Sequence, residues 1–145
     1  MFSGTYRHSI DTKGRVIIPA KFRSELASGL VLNCGLDNCL FLYPISEWMK
    51  LVEKMKNIPL TNKEGRMFVR RMFANAVDEE MDKQGRLLIP SMMRDYAHID
   101  KELVIIGVGE RVELWSKEEW EAYNEADNFD EEAFVEKMSA IGVSI

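Results

Sequence analysis

The stretch Asp11-Thr12-Lys13-Gly14-Arg15-Val16-Ile17-Ile18-Pro19 decides how this chain folds, because it returns seventy-one residues later as Asp82-Lys83-Gln84-Gly85-Arg86-Leu87-Leu88-Ile89-Pro90. Five of the nine positions are identical. In both copies the Asp favours a turn, since its carboxylate accepts from backbone N–H groups ahead of it, and the Gly supplies a positive φ. The turn is expected to close a hairpin whose aliphatic return strand lies in a shared core, and Pro stops this strand and suits the first turn of a helix.

The elements around the two copies repeat as well. Each half is predicted to run strand, turn, strand, helix, hairpin, helix, with these bounds: 5–10, 15–18, 19–27, 30–34 with 39–43, and a helix capped by Ser46; then 76–81, 86–89, 90–97, 103–108 with 111–115, and a helix capped by Ser116. Two helices lie outside the repeat. The first opens with a capping box at 61–64, and the second spans roughly 130–141.

Neither half is large enough to fold alone, because four short strands bury too little apolar surface. Two copies that pair about a pseudo-two-fold axis would complete one barrel-like core. The chain is therefore divided into a first repeat at 5–48, linking helices at 49–75, a second repeat at 76–120 and a C-terminal helical segment at 121–145.

The composition bounds the class of protein. The chain has 145 residues, 46% hydrophobic and 30% charged, which is an ordinary globular balance. No apolar run approaches the roughly 20 residues that span a bilayer, and the first residues lack the apolar core of a signal peptide, so a cytosolic protein is predicted. Cys34 and Cys39 make no disulfide framework and have no zinc-finger spacing, so both are interpreted as buried, reduced thiols.

The net charge of −5 hides an uneven distribution. Residues 50–71 carry seven Lys and Arg against two acids, or +5, whereas residues 102–145 carry three against twelve, or −9. A basic face can therefore exist on an acidic protein, and the local field matters more to a polyanion than the total charge.

The sequence offers no catalytic constellation. The histidines are His8 and His98, and there is no Ser/His/Asp set, HExxH, P-loop or GxGxxG motif. The carboxylates between residues 118 and 136 are interpreted as a solvated helical face. An enzyme is not expected, and neither a metal, a cofactor nor a small-molecule substrate is predicted.

Arg15 and Arg86 are the residues that turn chemistry alone does not explain. Each can pair back to its Asp, but a planar, permanently charged fork at a turn also suits phosphate or guanine edges. The two roles are compatible, since Asp11 can orient Arg15 towards a ligand. By sequence proximity, the cations near the first turn are Arg7, His8, Lys13, Lys21 and Arg23, and those near the second are Lys83 and Arg94.

The two Asp-x-x-x-Arg turns, Asp11 to Arg15 and Asp82 to Arg86, resemble the SpoVT-AbrB superfamily of swapped-hairpin DNA-binding proteins. The tandem arrangement and the opening residues 1–6 are similar to the MraZ family, bacterial transcriptional regulators of the division and cell-wall gene cluster. The resemblance covers essentially the whole chain. It implies an α+β fold in which two tandem swapped-hairpin repeats form one pseudo-two-fold β-barrel core with peripheral helices.

The resemblance also implies a partner and a site. It implies a cytoplasmic, nucleoid-associated regulator that assembles into a ring and binds short direct repeats of double-stranded DNA in a promoter, including the one upstream of its own gene. Arg15 and Arg86 are then expected to contact base edges or close phosphates, and the phosphate contacts at the turn tips fall to Lys13, Lys83 and Thr12, with Arg7 as a weaker candidate. The acidic residues 78–80 before the second turn predict that Arg15 contributes more than Arg86.

Three alternatives stay open. The basic helix with Lys63, Arg66, Arg70 and Arg71 either pairs with the acidic C-terminal third of a neighbouring subunit or is a second DNA surface. The protein could be an antitoxin-type swapped-hairpin protein, although such proteins carry a disordered tail where this chain has a capped helix. It could also be an oligomeric scaffold without specific DNA recognition.

Overall fold

The computed structural model describes residues 1–125 and 130–145, and it has a mixed α and β fold. The strands of the described residues are β1 (Phe2–Ser9), β2 (Arg15–Ile17), β3 (Leu30–Cys34), β4 (Leu40–Pro44), β5 (Val77–Glu79), β6 (Arg86–Leu88), β7 (Glu102–Gly109) and β8 (Arg111–Ser116). The helices are α1 (Ala20–Leu26), α2 (Ile45–Lys56), α3 (Lys63–Ala74), α4 (Ser91–Tyr96), α5 (Lys117–Glu125) and α6 (Glu131–Ala140).

The two halves exchange strands. One antiparallel sheet has six strands in the order β1-β7-β8-β4-β3-β5, and a second sheet is the two-stranded ribbon β2-β6. The first strand of each half pairs with the third strand of the other half: β1 with β7, and β5 with β3. The order reads the same from either edge when the halves are interchanged, so the predicted swap and pseudo-two-fold relation are confirmed.

The expectation of a local hairpin around each turn was wrong. β1 and β2 flank the first turn but belong to different sheets, because β2 pairs with β6 and not with β1. The ribbon is extended at each end by a backbone hydrogen bond to the other half's turn: Ile18 N–H to the Gly85 carbonyl at 2.9 Å, and Ile89 N–H to the Gly14 carbonyl at 2.8 Å. Within the described residues, the strands form an open sheet with a ribbon beside it, and no closed barrel is formed.

The main core lies between one face of the six-stranded sheet and the ribbon. Val16 and Leu87, the central pair of the ribbon, are buried against sheet residues such as Leu32 and Leu114. Helices α1 and α4 close the sides of this core with Phe22, Leu26, Met93 and Ala97. The aliphatic stretch after each turn thus anchors both halves in one shared core.

The other face of the sheet is covered by α2, α3 and α5. Val31 packs with Trp48 and Met55 of α2 and with Met72 of α3. Val104 and Trp115 pack with Cys39 and against Trp120 of α5. Helices α2, α3 and α5 therefore lie on the face opposite the ribbon. In the described part of the chain, none of the helices has the length and apolar character needed to cross a bilayer.

Helix caps follow the sequence in part. Ser116 Oγ accepts from the Glu119 N–H at 3.0 Å, as predicted. At α3 the cap is Asn62, whose side chain accepts from Gly65 N–H at 2.7 Å. Ser46 is not a cap, because it lies inside α2: the helix begins at Ile45 after Pro44, two residues earlier than a Ser46 cap predicts, and it has no side-chain cap. The division at 5–48, 49–75, 76–120 and 121–145 stays a prediction, and residues 126–129 of its last segment lie outside the described residues.

Candidate nucleic-acid interface

The first turn is a closed network around the Asp11 carboxylate. Its Oδ1 accepts from the backbone N–H groups of Lys13 and Arg15, both at 2.9 Å, and its Oδ2 accepts from Arg15 Nε at 2.8 Å. Gly14 N–H closes the turn onto the Asp11 carbonyl at 3.0 Å. The Arg15 guanidinium is thereby held in one orientation while its side chain remains 28% exposed.

The second turn repeats this geometry. Asp82 Oδ1 accepts from the N–H groups of Gln84 and Arg86, both at 2.9 Å, and Oδ2 accepts from Arg86 Nε at 2.6 Å. The Arg86 side chain is 29% exposed. The pKa of each carboxyl, Asp11 and Asp82, is lowered, first because it accepts the backbone N–H of the arginine four residues on. The shaping role predicted for Asp11, Gly14, Asp82 and Gly85 agrees with this network.

These lowered pKa values make a prediction about acid stability. A carboxyl whose pKa is lower in the folded state stabilises the fold above its ordinary value of 3.8, and this contribution is lost as the pH falls through the folded pKa. The D11N/D82N variant should therefore be less stable than the wild type at pH 6, and the difference should narrow between pH 4 and pH 3. Urea unfolding at the three pH values measures this; a difference that is independent of pH would contradict it.

A second pair of arginines lies at the turns, and it crosses between the halves. A Cβ built on Gly14 (φ +83°) would lie 3.2 Å from Cζ of Arg94, which belongs to α4 of the second half. A Cβ on Gly85 (φ +78°) would overlap with the guanidinium of Arg23, which belongs to α1 of the first half. Each arginine is fixed by its Nε, Arg23 to the Ile18 carbonyl at 2.8 Å and Arg94 to the Ile89 carbonyl at 3.1 Å.

The assignment of Arg23 to the first turn and Arg94 to the second was therefore wrong. The strand swap carries α1 to the second turn and α4 to the first, so each turn has two guanidinium groups from different halves. The acidic residues 78–80 do not change the number of guanidinium groups at the second turn, because β5 leaves this turn and joins the edge of the large sheet. The structure thus gives no support to a weaker second turn.

The outer face of the ribbon combines charge with apolar surface. In the register, Arg15 is opposite Leu88 and Ile17 is opposite Arg86, so these four residues share one face, while Val16 and Leu87 point into the core. Ile17 is 46% exposed and Leu88 is 48% exposed. Sequence reasoning placed the whole aliphatic stretch in the core and missed these two; strict alternation from the charged Arg15 would have found them.

The other predicted contact residues fall into two groups. Thr12, Lys13 and Lys83 are exposed at the tips of the turns, at the two ends of the ribbon. Arg7 lies elsewhere: it is opposite Val104 of β7, on the face of the large sheet that α5 covers. The structure therefore does not bring Arg7 together with Arg15 and Arg86.

The remaining candidates for chemistry are metal-ligating side chains and the two thiols. Within residues 1–125 and 130–145, no three His, Cys, Asp or Glu side chains are grouped so as to hold a metal ion. Cys34 and Cys39 are both free and buried, and burial raises the pKa of both thiols. The candidate site is thus a two-stranded ribbon with two oriented arginines at each end and aliphatic side chains between them.

The exchange of strands between the two halves is a swapped-hairpin arrangement, in which the ribbon β2-β6 is built from both halves. A family model described as "MraZ protein, putative antitoxin-like" matches the chain twice, at residues 1–71 and 72–140. This chain belongs to the MraZ family. Relatives named "Transcriptional regulator MraZ" include those of Clostridium tetani, Alkaliphilus oremlandii and Acetivibrio thermocellus, which are 53%, 52% and 50% identical over 99% of this chain and 100% of their own length. The family is one of transcriptional regulators and not of enzymes.

Proposed function

We propose that this protein regulates transcription by binding double-stranded DNA with the outer face of the β2-β6 ribbon and the two flanking turns. The observation that carries the proposal is the pair of arginines, Arg15 and Arg86, at opposite ends of the ribbon. Arg15 Nε donates to Asp11 and Arg86 Nε donates to Asp82, each on its own turn. A guanidinium held in place loses less conformational entropy on binding, and its other donors suit guanine or phosphate.

The ribbon fits the shape and chemistry of a major groove. The major groove of B-DNA admits a two-stranded β-ribbon, and apolar side chains contact the methyl group of thymine there. Ile17 and Leu88 supply that apolar contact beside the arginines. Lys13, Lys83 and Thr12 at the turn tips supply contacts to the phosphates, which fix the register without reading sequence.

The family resemblance extends the proposal beyond one chain. We expect the protein to assemble into a ring, to bind short direct repeats in a promoter upstream of its own gene in the division and cell-wall cluster, and to be cytoplasmic and associated with the nucleoid. Ring assembly presents one ribbon per repeat, so that weak single contacts add through effective concentration.

Footprinting on the DNA upstream of the protein's own gene, with a salt titration of the affinity, tests this function. We expect protection of short direct repeats and a steep fall of log K with log salt, because neutralised phosphates release counterions. A scrambled duplex of equal length that competes as well as the repeats would favour a scaffold role. The family description also contains the words "antitoxin-like". A protein partner that binds this chain tightly, and whose removal leaves the affinity for DNA unchanged, would favour that second role.

The crossed arginines give a prediction for this site. R94A is expected to weaken binding about tenfold and to reduce the salt slope by about one, the effect of losing one phosphate contact. R23A should do the same, because it occupies the equivalent place at the other turn. Fluorescence anisotropy at several salt concentrations measures both. K21A is the control for the loss of a surface cation on α1, because the Lys21 ammonium donates to Ser3 Oγ at 3.3 Å and is not one of the groups that face a turn glycine. Unchanged affinity in both arginine variants would contradict the hypothesis that each turn binds DNA with one arginine from each half.

A further inference from the structure

We propose that the outer face of α3 in one subunit binds the acidic segment 130–145 of a second copy of this chain. This inference rests on the proposed assembly and names the surfaces that would make it. The "α3 face" is defined by Lys63, Met67 and Arg70, with Phe68 and Phe73 beside them. The "acidic segment" is α6 with its Asp130 cap and the residues that follow it.

The α3 face is apolar and basic, and it is uncovered. Met72 is the buried residue of α3, whereas Met67, Phe68 and Phe73 are exposed together with Arg70. Beside it, a groove of about 380 Å³ runs between α2 and α3 and is lined by apolar side chains with Lys56, Arg66 and Arg70 at its border. Exposed Met, Phe and Arg side chains grouped on one surface are typical of protein–protein interfaces.

The location of α3 favours a protein partner over DNA. Met72 packs with Val31 on the face of the large sheet that lies opposite the ribbon. A duplex on the ribbon would therefore leave the α3 face free for another subunit. The exposed phenylalanines and methionine also separate the cations, whereas a phosphate backbone offers nothing apolar to cover them.

The acidic segment has the complementary chemistry. Residues 61–75 carry four basic side chains against one acid, or +3, and residues 130–145 carry four acids against one base, or −3. The segment also exposes aliphatic side chains, namely Val135, Ile141, Val143 and Ile145. Opposite charge steers the encounter and the apolar groups on both sides supply buried area.

A second copy is the occupant that the single chain indicates. In one chain the α3 face is exposed, and so are Glu132, Val135 and Glu136 of α6, so these groups are accessible at the same time. The two surfaces differ from each other, and each copy would use one of each. Such a heterologous contact joins subunits head to tail, and it closes into a ring when the rotation between subunits allows it.

Charge reversal in two separate proteins tests the contact. K63E/R70E makes the α3 face acidic, and E132K/E136K makes the acidic segment basic. Each variant alone is expected to give particles near the mass of one chain, 16.7 kDa, in light scattering at low salt. An equimolar mixture is expected to reassemble, because the basic segment of one variant then meets the acidic face of the other. A contact within one chain cannot produce that result.

The matched control is E121K/E125K on α5. It makes the same change in charge at two residues one helical turn apart, and it lies in the same acidic third of the chain. It is expected to assemble alone like the wild type. A mixture of K63E/R70E with E132K/E136K that stays dissociated would overturn the proposal, and so would single variants that assemble like the wild type.

Failure of this contact and failure of the DNA site give different results. R15A/R86A is expected to keep the wild-type mass while it loses DNA affinity. The two charge-reversal variants should keep their affinity for a duplex with a single repeat and lose only the added affinity for several repeats. A wild-type protein that is monomeric would contradict the assembly and this contact, and it would leave the ribbon site standing.

Discussion

R15A/R86A is expected to bind the promoter repeats at least about thirtyfold more weakly than the wild type. A well-placed bidentate contact to a base is worth about 1–3 kcal/mol, so the loss of two such contacts costs at least about 2 kcal/mol, which corresponds to about thirtyfold. Fluorescence anisotropy with repeat-containing and scrambled duplexes measures it. The specific affinity should fall towards that for the scrambled duplex.

Two further variants separate charge from geometry at this site. R15K/R86K keeps both charges but removes the planar fork, so it should retain binding to the scrambled duplex and lose discrimination between the two. R15A and R86A as single variants should have similar effects, because each turn carries the same network and a crossed arginine. An unaltered affinity of R15A/R86A for the repeats would exclude the ribbon as the binding face.

L87A is expected to lower the free energy of unfolding by about 2–5 kcal/mol, the range for removing a buried leucine side chain. Leu87 is 0% exposed and lies opposite Val16 at the centre of the ribbon, where the two halves meet. Urea denaturation followed by circular dichroism measures the change. The loss should appear as one cooperative transition, because every sheet of this fold contains strands from both halves.

L88A is the matched control, since it makes the same substitution at the next residue, where the side chain is 48% exposed. Its stability should change by less than about 1 kcal/mol, in line with exposed positions. Its DNA affinity should nevertheless fall, because Leu88 lies on the outer face beside Arg15. Equal losses of stability in L87A and L88A would contradict an orientation of the ribbon in which Leu87 faces the core and Leu88 faces outwards.

Much of the fold could be predicted because it depends on interactions between residues that are close together in the sequence. The Asp and Gly of each turn, the proline that follows each strand and the Ser116 cap all act within a few residues, so the sequence shows them directly. The repeat of these signals also predicted a pseudo-two-fold unit. The cap was wrongly assigned to Ser46 because a second local signal lies close by. Pro44 precedes the serine and occupies the position before the helix.

The rest depends on contacts between residues far apart in the chain. Arg23 follows the first turn and Arg94 follows the second, so proximity in sequence assigns each to the wrong turn. The exchange of strands between the halves reverses the assignment, and no local pattern records that exchange. Ile17 and Leu88 were missed for a different reason, since a run of aliphatic residues resembles a strand that is buried on both faces.

The exchange of strands also makes the single chain a tethered dimer. Two separate half-chains would have to meet before either could fold, and their stability would depend on concentration. Here the linking helices keep the second half near the first, so the ribbon forms at any dilution. The tether also allows the two halves to differ in sequence. In a dimer of identical chains a mutation alters both ends of the ribbon, whereas here one end can change its DNA contacts while the other end keeps them.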